Sequence, residues 1–325
     1  MLSERIRITD CYRPLSGEDV RAEILDGLLK PPRSIPSKYF YDGEGSRLFE
    51  RITGLDEYYL TSTEKKIMQD AFPTVVEDIG STDIIELGSG DCSKITILLD
   101  CIPDGLMAGT RYIPVDISRS AVMKSATTLL ERYPDLQIHG LIADFQNDIQ
   151  SIPDGSGRLF CFFGSTIGNL ERIEAELFTK HLEHIMMPGD RLLLGLDMVK
   201  DTQVLERAYN DDSGHTAEFN RNMLKVVNRS LRSDFDPSRF DHSAYFNSGK
   251  NRVEMHLVAS EHITVNSPFL SEPLILEKGE SIHTENSYKY TMDDITALSS
   301  ISGLQISNVF TDERKWFSLV EFTAE

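Results

Sequence analysis

The stretch Asp83–Lys94, DIIELGSGDCSK, decides the fold, because an apolar run ends in an acid and is followed at once by Gly88-Ser89-Gly90. A buried parallel strand that ends in a tight Gly-x-Gly turn lets the backbone approach a ligand closely, since glycine has no Cβ and reaches positive φ freely. The stretch therefore predicts a strand, a turn and a helix that together form a nucleotide-type binding site.

The same alternation of strand and helix continues along the next hundred residues. Predicted strands end at Asp116, at Asp144 and at Gly164, each after an apolar run, and helical patterns separate them. This regularity predicts an α/β fold with a mostly parallel sheet and helices on both faces. The strand ends should meet along one edge of the sheet, which is where such sheets bind ligands.

The chain has 325 residues, which is enough for two domains. Thr61-x-x-Glu64 fits a capping box and predicts the helix that begins the first of them. The regular alternation stops near residue 200 and returns in a last helix and two final strands. We expect an α/β domain of residues 62–199 and 291–325. A discontinuous α+β domain of residues 1–61 and 200–290 should bind the substrate.

The composition is that of a globular protein, with 40% hydrophobic and 26% charged residues. The 33 Lys and Arg residues against 52 Asp and Glu give a net charge of −19, which repels the phosphates of a nucleic acid, although solubility alone would explain the same charge. No apolar run has membrane-spanning length, the N-terminus is too charged for a signal peptide, and the cysteines lack metal-ligand spacing. We expect a cytoplasmic monomer that binds a small molecule and no nucleic acid, membrane or metal.

Two cofactors compete for the glycine turn. The dinucleotide fingerprint needs a third glycine, but Gly88–Ser93 reads GSGDCS, and Asp91 would oppose a pyrophosphate at the helix N-terminus. S-adenosylmethionine carries cations and no phosphate, so acidic residues favour it. Asp116 suits the ribose hydroxyls, while Asp144 and Phe145 suit the adenine amino group and ring. Each aspartate could instead cap a helix. The two final strands fit the antiparallel hairpin that closes a class I methyltransferase sheet.

A longer set of motifs resembles one family. The set comprises SKYFYDGEGSRLFERIT at 37–53, LDEYYLTSTE at 55–64, IIELGSG at 84–90, YIPVDIS at 112–118, FFGSTIGNL at 162–170, LGLDMVKDT at 194–202, RAYNDDSGHTAEFNRN at 207–222, VEMHL at 253–257 and GESIHTENSYKY at 279–290. In this order and spacing, these runs resemble the histidine-specific Nα-methyltransferase family of ergothioneine biosynthesis. The sequence departs from the family pattern at Asp91-Cys92-Ser93 and at Leu196, which leaves the fine geometry of the cofactor turn open.

The resemblance implies a class I, Rossmann-like enzyme that moves three methyl groups, one at a time, from S-adenosylmethionine to the α-amino nitrogen of L-histidine. The product would be hercynine, in the first step of ergothioneine biosynthesis. Carried over by position, the cofactor contacts are Gly88, Lys94, Asp116, Asp144 and Phe145. The implied catalytic residues are Tyr41, Gly164 and Asn169. The implied substrate-binding residues are Tyr58, Asn169, Tyr209, Met255, Glu285 and Ser287.

The implied amino-acid site needs positioning rather than a covalent nucleophile. Asn169 and Tyr209 would hold the substrate carboxylate as neutral donors, which leaves the pocket without a fixed cation. Tyr41 and the carbonyl of Gly164 would face the amine. Asn169 could instead cap the next helix. The general base is open, because either Tyr41 through a water or bulk solvent would suffice for an amine whose pKa is about 8.

Glu285 and Ser287 stand two apart on a predicted strand, so both side chains should point to one face and bind the two imidazole nitrogens. One alternative is a sibling enzyme that methylates a tryptophan derivative. Met255 and Glu285 disfavour it, because an indole cannot satisfy two polar partners. Another alternative is a non-catalytic protein that binds S-adenosylmethionine, which Gly164 and Asn169 disfavour.

Overall fold

A computed structural model describes residues 5–77, 79–80 and 82–325. Its strands are β1 (Ile6–Asp10), β2 (Asp83–Leu87), β3 (Arg111–Asp116), β4 (Gln137–Ile142), β5 (Leu159–Phe162), β6 (Arg191–Asp197), β7 (Phe240–Asn247), β8 (Arg252–Ala259), β9 (Ile263–Val265), β10 (Leu274–Leu276), β11 (Ser281–Tyr288), β12 (Gln305–Thr311) and β13 (Phe317–Thr323). Its α-helices are α1 (Gly17–Leu29), α2 (Gly43–Ile52), α3 (Tyr59–Val75), α4 (Ser93–Leu99), α5 (Asp104–Met107), α6 (Arg119–Arg132), α7 (Arg172–Ile185), α8 (Thr202–Tyr209), α9 (His215–Leu231) and α10 (Met292–Ser302).

The chain divides into two compact units. Unit 1 comprises the described residues of Met1–Arg13, Ser62–Val199 and Tyr290–Glu325, and unit 2 comprises Pro14–Thr61 and Lys200–Lys289. The division differs from the predicted domains at the N-terminus, where residues 1–61 were placed together in the second domain. β1 instead pairs in parallel with β4, so it belongs to the sheet of unit 1. Residues 1–4 of that prediction lie outside the described residues.

Unit 1 is built on an eight-stranded sheet with the order β1-β4-β3-β2-β5-β6-β13-β12. Strands β1 to β6 pair in parallel, whereas β13 is antiparallel to both β6 and β12. The predicted mostly parallel sheet with a terminal antiparallel hairpin is confirmed. Most residues of the central strands β2, β3 and β5 are buried because helices cover them. Ile67 of α3, Leu98 of α4 and Leu129 of α6 share one buried cluster with strand residues.

Unit 2 contains a three-stranded antiparallel sheet in the order β11-β8-β7 and a short hairpin of β9 and β10. Helix α9 is amphipathic, and its buried Phe219 stacks on Phe40 with ring centroids 4.4 Å apart. β11 pairs with β8 with a register shift between His283 and Glu285, which is the mark of a bulge. Among the described residues, no helix has the length and apolar character needed to cross a bilayer.

Candidate active site

The glycine turn of unit 1 follows β2 directly. Gly88 and Gly90 have φ values of 66° and 48°, a region that favours glycine, and a Cβ on Gly88 would lie 3.5 Å from the Phe145 ring. Asp116 braces the turn, since its Oδ2 accepts from the Gly90 N–H at 3.0 Å and its Oδ1 from the Ser118 N–H at 2.8 Å. The fold thus brings Gly88, Asp116 and Phe145 together at the carboxyl edge of the sheet, as expected for neighbouring parallel strands.

Burial raises the pKa of Asp116, although the two backbone hydrogen bonds act in the opposite direction. A carboxylate has about four lone-pair sites, so two accepted bonds leave capacity for a ligand's hydroxyl groups. Asp144 makes local bonds, with its Oδ1 accepting from Gln146 N at 2.9 Å and its Oδ2 from the Asn147 amide at 2.7 Å. Asp144 therefore stabilises its own turn and places the following ring, that of Phe145.

A buried carboxylate connects α3 to the same edge of the sheet. Glu64 is fully buried; its Oε1 accepts from the backbone N–H of Gly164 at 2.7 Å, and its Oε2 lies 2.7 Å from Nζ of Lys94. Gly195 leaves room for this group, because a Cβ there would lie 2.3 Å from Oε1. The capping-box prediction for Thr61 and Glu64 is wrong, since α3 begins at Tyr59 and Glu64 bonds to a distant strand end.

Gly164 and Asn169 flank a tight turn after β5. Gly164 has φ of 78°, a region that favours glycine, and a Cβ there would lie 2.9 Å from Nζ at the flexible end of Lys94. Asn169 ends the 3-10 helix Thr166–Asn169 and is half-buried. It does not cap α7, whose N-cap is Glu171 with a capping box to Glu174. The amide of Asn169 is therefore not needed to start that helix.

In unit 2, three of the predicted substrate residues lie on one face of the three-stranded sheet. Glu285 of β11 lies directly across from Met255 of β8, and Ser287 follows two residues later on the same strand. All three are buried. Burial raises the pKa of Glu285 to about 7, with the cation of Lys289 opposing the shift. Glu285 and Ser287 therefore offer a desolvated carboxyl group beside a hydroxyl.

Three tyrosines accompany this pair. Burial raises the pKa of the Tyr41 hydroxyl well above its ordinary value, and the nearby Glu285 and Tyr209 raise it further. Tyr41 as a residue is 42% exposed. Tyr58 meets Tyr209 edge to face, with centroids 6.1 Å apart. A hydroxyl with a raised pKa stays protonated at neutral pH, so Tyr41 is a hydrogen-bonding group and not a tyrosinate base.

Sequence reasoning missed Lys289. Its side chain is fully buried, and Nζ donates to Ser287 Oγ and to the Tyr209 hydroxyl, both at 2.9 Å. The expectation of a pocket without a fixed cation is therefore wrong. Lys289 lies inside the run GESIHTENSYKY, two residues after Ser287. The same two-residue spacing that paired Glu285 with Ser287 would have found it.

The other face of the unit 2 sheet carries a cluster of Glu254, His256 and His283 whose potential ligand atoms lie within 4.8 Å of one another. These residue types suit a metal, but Glu254 already accepts from Arg252 at 2.8 Å and from Tyr245 at 2.8 Å. Although burial opposes the shift, these and other hydrogen bonds lower the pKa of Glu254 to about 2. Because Glu254 is already hydrogen-bonded to Arg252 and Tyr245, we interpret the cluster as a hydrogen-bonded support of the sheet.

Known proteins resemble this chain along most of its length. A family model described as histidine-specific methyltransferase, SAM-dependent, matches residues 20–324. A histidine N-alpha-methyltransferase of Mycobacterium tuberculosis is 40% identical over 309 residues, covering 93% of this chain and 96% of the relative. Ergothioneine biosynthesis protein 1 of Neurospora crassa is 28% identical over 310 residues, covering 93% of this chain and 33% of the relative. An L-tryptophan methyltransferase of Psilocybe serbica is 27% identical over 340 residues, covering 94% and 93%.

These matches confirm the resemblance of the motifs, and they agree with the sheet of unit 1 and its glycine turn. The cofactor is S-adenosylmethionine, for which the acidic residues at the strand ends are suited and for which no phosphate-binding glycine is needed. The chain belongs to the family of histidine-specific, S-adenosylmethionine-dependent methyltransferases.

Proposed function

We propose that this enzyme transfers three methyl groups successively from S-adenosylmethionine to the α-amino nitrogen of L-histidine, and that it releases hercynine as the first step of ergothioneine biosynthesis. The observation that carries the choice of amino acid is the pair on β11. Glu285 and Ser287 place a carboxyl group and a hydroxyl side by side on one strand, in a buried environment. An imidazole has two nitrogens to satisfy both groups, whereas an indole has a single N–H.

The cofactor residues are proposed from unit 1. Asp116 would accept from the ribose hydroxyls, because its bonds to Gly90 and Ser118 leave acceptor sites free. Phe145 would stack on the adenine, and Asp144, whose two accepted bonds leave acceptor sites free, would accept from the adenine amino group. Gly88 allows the close approach of the ligand. Lys94, paired with Glu64, would act as a neutralised neighbour of the cofactor rather than as an isolated cation.

In the amino-acid site, Asn169 would donate to the substrate carboxylate. Tyr209 was expected to be a second donor, but its one hydroxyl proton bonds to Ser287 Oγ at 2.7 Å, so it would support the site through Ser287 instead. Tyr41 would orient the amine by hydrogen bonding, because its raised pKa keeps the hydroxyl protonated. Gly164 would accept from the amine with its carbonyl, whose position the Glu64 bond to the Gly164 N–H holds. Met255 and Tyr58 would line the imidazole subsite.

Each transfer requires a neutral amine in line with the sulfonium methyl. The nitrogen lone pair forms the new N–C bond as the C–S bond breaks, and S-adenosylhomocysteine leaves. The first two transfers leave a protonated amine that must lose one proton before the next transfer, while the third gives a quaternary nitrogen. A free α-amine with a pKa of about 8 loses that proton readily to solvent, so positioning is the enzyme's main task.

The test is a competition assay read by mass spectrometry. Purified protein is incubated with S-adenosylmethionine and an equimolar mixture of the free amino acids. Histidine that gains three methyl increments, with intermediates in lower amount, supports the proposal. Selective methylation of tryptophan would favour the sibling activity that the Psilocybe serbica relative is named for. No methylated amino acid would contradict both.

A further inference from the structure

Lys289, Ser287 and Tyr209 form a closed triangle of hydrogen bonds in unit 2. Nζ of Lys289 lies 2.9 Å from Ser287 Oγ and 2.9 Å from the Tyr209 hydroxyl, and the Tyr209 hydroxyl donates to Ser287 Oγ at 2.7 Å. All three residues are buried, with Lys289 at 0% exposure. Hydrogen bonds are stronger in such a low-dielectric environment than in water, so each group keeps its role as donor or acceptor.

The lysine fixes the direction of two of these bonds. A lysine ammonium has three donors and no acceptor, so both hydroxyl oxygens must accept from it. In the third bond, the Tyr209 hydroxyl donates to Ser287 Oγ. Ser287 Oγ accepts two hydrogen bonds, from Lys289 and from Tyr209, which uses both of its lone pairs. The Ser287 hydroxyl can therefore offer only its proton to a ligand.

We propose that Lys289 makes the imidazole subsite selective for the neutral imidazole of the substrate. This inference rests on the proposed function. Ser287 donates to the unprotonated ring nitrogen, and Glu285 accepts from the ring N–H. An imidazolium would present an N–H to each partner, and the second N–H would then face the Ser287 proton. Two donors facing each other in a buried site leave both unsatisfied, which is costly.

The charge of Lys289 acts in the same direction. An imidazolium would add a second cation beside the buried ammonium of Lys289. Burial raises the pKa of Glu285, and the cation of Lys289 lowers it in opposition. Lys289 is thus a positioning residue that acts through Ser287, and it sets the protonation state in which histidine binds.

The experiment observes the ring nitrogens directly. L-Histidine labelled with ¹⁵N in the imidazole is bound to the full-length enzyme together with S-adenosylhomocysteine, and its ¹⁵N shifts are followed from pH 5 to 8. We expect one protonated and one unprotonated nitrogen at pH 6, with the pKa of the bound imidazole at least about one unit below that of free histidine. A bound imidazolium at pH 6 in the wild-type enzyme would overturn the proposal.

The variant Lys289→Met removes the donors and the charge while keeping a long side chain. We expect the pKa of the bound imidazole to rise by at least about one unit, because Ser287 can then turn its hydroxyl to accept. Lys250→Met, in the exposed turn between β7 and β8, is the matched control and should change nothing. An unchanged imidazole pKa in Lys289→Met would refute the role of Lys289.

Ser287→Ala tests the route of the effect. Lys289→Met in that background should add clearly less than it adds to the wild type, because only the direct effect of the charge is left and the hydroxyl through which Lys289 acts is missing. A full additional shift would show a purely electrostatic action and contradict the proposed direction of the bonds. If Lys289→Met does not fold, a rise of the bound pKa in Ser287→Ala decides the same point. Failure of the wild-type enzyme to bind histidine at all would instead refute the proposed function.

Discussion

Glu64 and Lys94 form an ion pair in unit 1, with Oε2 and Nζ 2.7 Å apart, and the same carboxylate holds the backbone N–H of Gly164. The ion pair places a carboxylate from α3 next to Lys94, a proposed cofactor contact, and next to Gly164, a proposed catalytic residue. Because the cofactor is a sulfonium, an uncompensated lysine there would repel it. Glu64 therefore serves the proposed site by cancelling the charge of Lys94 as well as by fixing Gly164.

Glu64→Gln should weaken the binding of S-adenosylmethionine, which carries a sulfonium, more than the binding of S-adenosylhomocysteine, which lacks that charge. The amide oxygen can still accept from Gly164, but Lys94 loses its counter-charge. We expect the affinity for S-adenosylmethionine to fall about five- to tenfold more than the affinity for S-adenosylhomocysteine, a difference of about 1 kcal/mol. Calorimetry with both ligands measures the ratio. Glu64→Gln combined with Lys94→Met should restore it, whereas equal losses for both ligands would contradict the charge argument.

Glu285→Ala should weaken histidine far more than the cofactor. Removal of the carboxyl leaves the imidazole N–H without its proposed acceptor, so we expect a loss of about 10- to 100-fold in histidine affinity, from the cost of a buried unpaired donor. Titration calorimetry with each ligand alone is the measurement. Asp116→Ala should show the opposite pattern, and Glu272→Ala, an exposed site in unit 2, should affect neither ligand. Equal weakening of both ligands by Glu285→Ala would remove Glu285 from the imidazole site.

Ionisation of Glu285 should lower the free energy of unfolding at neutral and alkaline pH. Its folded-state pKa is raised to about 7 from the ordinary value of 4.5, so the folded state disfavours the ionised form. The cost is absent below about pH 4.5, where the acid is protonated in both states, and it develops as the pH rises to about 7. At pH 8, Glu285→Gln should raise the free energy of unfolding by about 2–3 kcal/mol. Urea unfolding at pH 5 and pH 8 measures this, and the gain should be much smaller at pH 5.

Tyr41→Phe should lower the rate without changing its pH dependence. The raised pKa keeps the Tyr41 hydroxyl protonated throughout the working range, so it orients the amine and does not take its proton. We expect kcat to fall about 10- to 100-fold while the pH profile of kcat/KM keeps its shape. Loss of an ionisation from that profile in Tyr41→Phe would show that Tyr41 is the general base after all.

Much of unit 1 could be predicted from the sequence because its signals are local. Apolar runs of strand length, the Gly88-Ser89-Gly90 turn and the acid that ends β3 each lie within a few residues of what they specify. The parallel sheet then follows from the alternation of strands and helices. The sequence does not predict β1, because a single short strand at the N-terminus carries no mark of its pairing with β4, which lies about 130 residues away.

The sequence by itself determined the family, the cofactor and the fold of unit 1 apart from β1, since short motifs and hydrophobic periodicity specify backbone conformation directly. Only the tertiary structure decided which charges meet. Glu64 reaches Gly164 across 100 residues of chain, and Lys289 reaches Tyr209 across 80. The physical reason is that a buried charge is stable only with partners, and those partners come from whichever elements the fold places beside it rather than from neighbouring residues.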